Sequence, residues 1–266
     1  MRDSYKFGIR ASQLISAVAI FVFSNDAPAA QPMSQDRDLV ELDLTGWNCV
    51  KRPGGSARSP ETIERNSLKN RWAADLTGLT INSFDIDSLL NCLGNFDAET
   101  KSKRRRDLAP EERRHLEILE APIVSLTGYL VLAYVGPPET CNCSSMDFHD
   151  WHLEIFQEPL DHAPQPGDPT PVICEITPRT QNALLREGIR IQELAAFFRR
   201  ADLTYEPTGH KARWLRLTGH LFWDDEHNEP KDVGVAIRSI AKNGYHNPWR
   251  ATAWEIHPVI KIEPLD

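Results

Sequence analysis

Two imidazole–carboxylate pairs stand two residues apart in this chain, His152 with Glu154 and Glu255 with His257. In an extended strand a two-residue step returns to the same face, so each pair presents a ring nitrogen beside a carboxylate. A third carboxylate, Glu175, interrupts the apolar run from Val172 to Thr177. Imidazole and carboxylate are ligand types for zinc and other divalent ions. They also serve as general acid and base when proximity tunes their proton affinities. The sharpest chemistry they suggest is a metal-dependent hydrolase, a phosphodiesterase or nuclease. Its divalent metal, zinc for example, would be drawn from His152, Glu154, Glu175, Glu255 and His257, with Arg179 or Arg250 stabilising phosphate charge. Taken singly, each residue reads as an ordinary outward polar position on a sheet. The repeated spacing on two strands is what raises a site.

The elements that must position these residues follow from periodicity. Ser59-Pro60-Glu61 has a hydroxyl at the N-cap and proline at the first helical position, predicting a helix to about Trp72. A shorter helix is expected from about Asp85 to Leu93, and another from Pro110 to about Glu120. From Pro122 the period changes. Ile123 to Val135 is β-branched and aromatic, ending at Gly136-Pro137-Pro138. Phe148 to Phe156 alternates, with Trp151, Leu153 and Ile155 on one face and His152 and Glu154 on the other. Val172 to Thr177 reads as a third strand, Asn182 to Arg200 as a helix with apolar residues at three-and-four spacing, and Lys211 to Trp223 and Trp249 to Ile262 as two more strands.

Three strands, one helix and two strands is the element order of an OB-fold, a five-stranded Greek-key barrel. Leu126-Thr127-Gly128 in the first strand recurs as Leu217-Thr218-Gly219 in the fourth. Glycine inside a strand marks a bulge or the tight bend that closure requires. An open α+β sandwich shares the periodicity, and the repeat favours the barrel. The expected fold class is therefore mainly β with helices (α+β). An OB-fold-like barrel over 121–266 follows a polar linker and helical extension over 30–120.

Other motifs are absent or bland. The sequence has no Gly-x-Ser-x-Gly elbow, no phosphate-binding Gly-rich loop with Lys-Ser/Thr, and no His-Glu-x-x-His pair. Asp224-Asp225-Glu226-His227 reads as an exposed acidic loop, and the basic run from Lys101 to Arg106 as a solvated face. Trp151 and Trp254 have core parity. Thirty Lys+Arg against 38 Asp+Glu give a net charge of −8, which disfavours a nucleic-acid partner held by many phosphate contacts.

The first residues read as an export signal over 1–29. Arg2, Lys6 and Arg10 precede an apolar stretch from Leu14 to Phe23, and Ala27-Pro28-Ala29 supplies a small-residue cleavage site. The stretch is too short to span a bilayer, which needs ~20 helical residues, so no integral membrane association is expected after cleavage. A periplasmic or secreted chain meets an oxidising compartment. Its five cysteines, Cys49, Cys92, Cys141, Cys143 and Cys174, then read as one or two disulfides plus a buried thiol. A redox or metal role for Cys141-Asn-Cys143 is the alternative.

Four segments carry a resemblance: Glu139-Thr-Cys-Asn-Cys143, Phe148-His-Asp-Trp-His-Leu-Glu154, Cys174-Glu-Ile-Thr-Pro-Arg179 and Trp249-Arg-Ala-Thr-Ala-Trp-Glu-Ile-His-Pro258. Together they resemble a family of exported bacterial proteins of uncharacterised activity, described as OB-like barrels. The likeness spans roughly residues 60 to 266, and Trp-Glu-Ile-His-Pro is its most specific part. It implies export and a barrel, but no reaction and no catalytic residue. The leading expectation is a module binding an oligosaccharide, peptide or nucleic acid on its polar barrel face. The hydrolase is the alternative to it, and a structural envelope protein the further alternative.

Overall fold

The computed structural model describes residues 38–72, 76–242 and 244–265, and the expected export signal lies outside them. Ser59 Oγ accepts from Thr62 N and Pro60 fills the first helical position, opening α1 (Pro60–Lys69). This helix stops three residues short of Trp72. A strand that the sequence reading lacks follows, β1 (Ile81–Asp85). Asp85 then caps the next helix: its carboxylate accepts from Ser88 N at 2.8 Å, and Ser88 Oγ accepts from Asp85 N at 3.0 Å. The helix so started, α2 (Ile86–Thr100), runs well past Leu93 because Phe96 extends the buried stripe of Leu89 and Leu93. The third helix, α3 (Pro110–Glu120), falls where proline and two glutamates open it.

The barrel is built from β2 (Ile123–Val135), β3 (Trp151–Phe156) and β4 (Val172–Ile176), and from two strands that follow the helical region. Between them α4 (Pro178–Arg186) leads to the single turn α5 (Ile191–Leu194) and the short β5 (Phe197–Arg199) and β6 (Tyr205–Pro207). Then come β7 (Trp214–Trp223), a loop carrying the ribbon β8 (Ser239–Ile240) and β9 (His246–Asn247), and β10 (Trp254–Pro264). The closed order is β2-β3-β4-β10-β7 and back to β2. All pairings in that ring are antiparallel except β4 with β10, which is parallel. This is the OB-fold-like barrel expected from element order.

Closure depends on β2. Its first half pairs with β7, its second half with β3, and a register irregularity between Leu130 and Leu132 bends it between the two. Gly128 lies two residues before the irregularity, packed against β3. A Cβ there would lie 2.5 Å from Ile155 Cγ2 and 2.9 Å from the Phe156 carbonyl oxygen. The two Leu-Thr-Gly copies meet only at their leucines, Leu126 opposite Leu217, while Gly128 lies opposite Leu215 and Gly219 opposite Val124. Barrel-facing Leu126, Leu130, Leu153, Ile155, Cys174, Leu217, Trp254 and Ile256 form the core.

Two expectations need correcting. The helix expected over 182–200 is instead α4, one turn of α5 and strand β5. Gly188 takes a left-handed φ of +84° and stops α4, and the apolar spacing continues across the break because Ile191, Leu194 and Ala195 are buried in the same core. The second correction concerns the polar barrel face. Its residues do not point to solvent: His152, Glu154, Glu175, Glu255 and His257 are all at most 6% exposed. Helix α1, the loop from Gly136 to Asp150 and the loop from Asp224 to Ala253 wall this side of β3, β4 and β10.

The covering layer is pinned covalently by a Cys49–Cys143 disulfide; Cys141 and Cys174 are buried thiols and Cys92 is exposed. The basic run is also more than a solvated face. Arg105 is buried, pairs with both Glu120 oxygens at 2.5 and 2.9 Å and donates to the Trp223 carbonyl. No helix among the described residues is long and apolar enough to cross a membrane.

Candidate metal centre

Strand parity places His152, Glu175 and His257 on the non-core side of three adjacent strands, β3, β4 and β10. The loop after β2 supplies Glu139, and Asp150 immediately precedes β3. The five side chains alternate acid and imidazole. Glu139 Oε1 lies 3.8 Å from His152 Nε2, and His152 Nδ1 lies 3.4 Å from Glu175 Oε1. Glu175 Oε2 lies 2.9 Å from His257 Nδ1, and His257 Nε2 lies 3.9 Å from Asp150 Oδ2. Three overlapping sets place one ligand atom per residue within 4.8 Å of one another: Glu139, His152 and Glu175; Asp150, Glu175 and His257; Glu139, Cys141 and Asp150.

Most of these spacings are too long for hydrogen bonds. Ligands 2.0–2.1 Å from a tetrahedral ion are separated by ~3.3–3.4 Å along each edge, so the gaps approach those of a coordination shell. The hydrogen bonding agrees. Both nitrogens of buried His152, Nε2 of fully buried His257 and Oε2 of Glu175 lack any hydrogen-bond partner. Buried polar atoms are ordinarily satisfied, and each failure costs about 1–3 kcal/mol. His257 Nδ1 bonds to Glu255 Oε1 at 3.1 Å, so the single proton on that nitrogen leaves Glu175 Oε2 without a donor.

Electrostatics hold the arrangement together without an ion. Burial alone would push His257 down, yet Glu175 and Glu255 beside it raise it to about 10. Burial likewise opposes His152, and Glu175 and Glu139 raise it. Burial works to raise Glu139, but Lys69, at 2.8 Å, and His152 hold it well below the usual carboxylate range. Burial and neighbouring Glu139 raise Asp150, while burial, Glu175 and Asp224 raise Glu255. A protonated His257 thus supplies part of the positive charge that a divalent ion would otherwise bring.

The upper end of the chain opens into a cleft of ≈ 410 Å³ lined by Glu139, His152 and Glu175, by Asp224, His227 and Trp249, and by the cations Arg65, Lys69 and Arg250. It occupies the barrel face and loops that OB-folds use for ligands. No family model, curated protein or solved structure matches this chain. The site therefore stands on its own geometry.

The expected site residues divide. His152, Glu175 and His257 converge. Glu255 flanks them, bonding His257 and receiving Arg250 Nη2 at 3.2 Å. Glu154 faces His246 at 3.4 Å instead. Arg250 is fully buried, lines the cleft and approaches Asp224 at 3.6 Å. Arg179 lies outside the cleft lining, donating to Asn142 Oδ1 and the Cys49 carbonyl at 2.9 Å each.

Sequence reasoning passed over Glu139, Asp150 and Lys69, and it read Asp224 and His227 as an exposed acidic loop, with cation binding by His227 the lesser alternative. Asp224 and Asp225 are buried rather than part of an exposed acidic loop, because Arg105 N donates to Asp225 and Arg250 faces Asp224. Their position at the end of β7 beside a histidine was the available signal. Lys69, on an amphipathic helix, carried none.

Proposed function

We propose that this chain is a divalent-metal-dependent hydrolase of phosphate esters, working on the ligand face of an OB-fold-like barrel. One observation carries the reading. His152, 6% exposed, has two unbonded ring nitrogens between the carboxylates of Glu139 and Glu175, on the floor of a cleft with a cationic rim. Glu139, Glu175 and one ring nitrogen of His152 would hold the ion, their ligand atoms lying within 4.8 Å of one another. A bound divalent ion supplies a water acidic enough to attack near neutral pH.

The remaining roles belong to the chain. Lys69 holds the second Glu139 oxygen at 2.8 Å and orients the first. Arg250 and Arg65 offer charge to the phosphoryl oxygens; Arg65 is tethered by an ion pair to Glu226. His227 faces the cleft with Asp224 Oδ2 3.8 Å behind one nitrogen, and burial lowers its proton affinity, a placement suited to accepting a proton.

The same cationic rim supports binding an anionic ligand without chemistry, such as a nucleic-acid strand or an acidic oligosaccharide. The two readings part on a metal assay of purified protein combined with cleavage of bis(4-nitrophenyl) phosphate. The hydrolase reading expects bound zinc or a similar ion, turnover abolished by chelator, and a loss of at least about 100-fold in His152→Ala. Metal-free protein that binds an anion equally well in chelator would leave the binding module. Protein that takes up neither would give the cleft a structural role in the envelope.

A further inference from the structure

We infer that a second, enclosed metal subsite lies beneath the first, formed by Asp150, His257 and the far oxygen of Glu175, making the centre dinuclear with Glu175 as the bridging carboxylate. This rests on the metal reading of the cleft. It is carried by how the ligand atoms are shared. The two Glu175 oxygens face opposite ways, Oε1 toward His152 at 3.4 Å and Oε2 toward His257 at 2.9 Å. Each imidazole in turn faces a second carboxylate on its far side, Glu139 for His152 and Asp150 for His257.

The lower set is prepared for an ion in its own right. Asp150, Glu175 and His257 are each at most 1% exposed, and neither Asp150 nor His257 lines the cleft. Asn142 Nδ2 donates to Asp150 Oδ1 at 2.9 Å, which fixes the carboxylate and leaves Oδ2 facing His257 Nε2. That nitrogen has no hydrogen-bond partner, while the opposite one, Nδ1, is held by Glu255 and faces Glu175 Oε2; one ligand atom each of Asp150, Glu175 and His257 lies within 4.8 Å of the other two. A histidine whose far nitrogen is pinned by a carboxylate is the usual arrangement of a metal-bound imidazole.

Cys141 Sγ lies 3.7 Å from the same Asp150 oxygen and 3.4 Å from Glu139 Oε2, within reach as a further ligand. A thiol beside imidazole and carboxylate selects zinc over magnesium or calcium. Enclosure marks the lower subsite as structural and the cleft-facing one as the exchangeable position.

The test is zinc stoichiometry on the full chain, stripped with chelator, reconstituted and measured by plasma mass spectrometry. Two zinc ions per chain are expected, with a metal–metal vector of ~3.5–4 Å in X-ray absorption. Asp150→Asn should fall to one ion, His152→Ala should fall to one, and Glu175→Gln should weaken both by at least about tenfold. If Asp150→Asn does not fold, the wild-type stoichiometry and the metal–metal vector decide. One zinc in the wild type that His152→Ala removes, or two retained in folded Asp150→Asn, overturns the lower subsite and leaves the cleft-facing site standing; one zinc that His152→Ala retains overturns the cleft-facing site and the dinuclear centre. No zinc at all overturns both.

Discussion

Removing the imidazole of His257 would leave Glu175 and Glu255 facing each other in a fully buried space, their oxygens currently 2.9 and 3.1 Å from its Nδ1. Strand parity alone suggests that such a polar position leaves the fold indifferent to substitution. Burial reverses that. Breaking a buried charge pair costs about 3–5 kcal/mol because the remaining charges lose their partner. Metal-free His257→Ala is therefore expected to lose about that much unfolding free energy in urea, and a loss below about 0.5 kcal/mol would contradict the arrangement. At this scale the sequence was legible where side chains alternate along a strand. His152, Glu175 and His257 share a face because a two-residue period puts them there. Glu139 and Asp150 sit in loop or strand-edge positions with no periodicity, so only three-dimensional closure brings them in.

Elements were legible to the extent that local chemistry determines them. Proline at the first turn set the starts of α1 and α3, and apolar alternation set the barrel strands. The failures came where tertiary packing overrode local preference. One example is β1, which exists through parallel pairing with β2. The segment after Gly188 is another, its helical spacing serving two different elements. Gly128 tests the account of closure. Replacing it with alanine puts a methyl 2.5 Å from Ile155 Cγ2 and 2.9 Å from a backbone oxygen, and the second contact cannot yield. Overpacking of this kind costs about 1–3 kcal/mol. Gly128→Ala should lose that much in urea unfolding and show β2–β3 amides exchanging faster. A neutral outcome would mean that β2 does not pack that closely against β3.

For the molecule as a whole, the Cys49–Cys143 disulfide spans 94 residues and ties the segment before α1 to the loop that carries Glu139. Chain-entropy arguments give about 4–5 kcal/mol for a loop of that length. Reduction should lower the melting temperature and, with it, metal uptake, since Cys141 and Glu139 sit in the tethered loop. Retention of both under reductant would show the cover to be self-supporting. Export is a separate expectation resting on residues 1–29 of the sequence, and if the signal is cleaved, N-terminal sequencing of recovered protein should begin near Ala30.

Acid sensitivity is the other property of the whole fold. Burial and the nearby Arg71 guanidinium lower His220 to about 4, and neither of its ring nitrogens has a hydrogen-bond partner. Unfolded, the same group titrates near ~6.5. Between those values the unfolded chain binds more protons, so stability falls as pH drops from about 6.5 to 4 and is insensitive to this group above that window. Raised Asp150 and Glu255 act in the opposite sense over an overlapping range, which hides the effect in the wild-type curve alone. The difference between His220→Gln and wild type isolates it. Because the ring is partly exposed, the variant should remove a slope of less than one proton, seen as a shallower loss of melting temperature from pH 6.5 to 4. An identical pH profile for the two proteins would show that His220 is already solvated enough to take up its proton in the folded state.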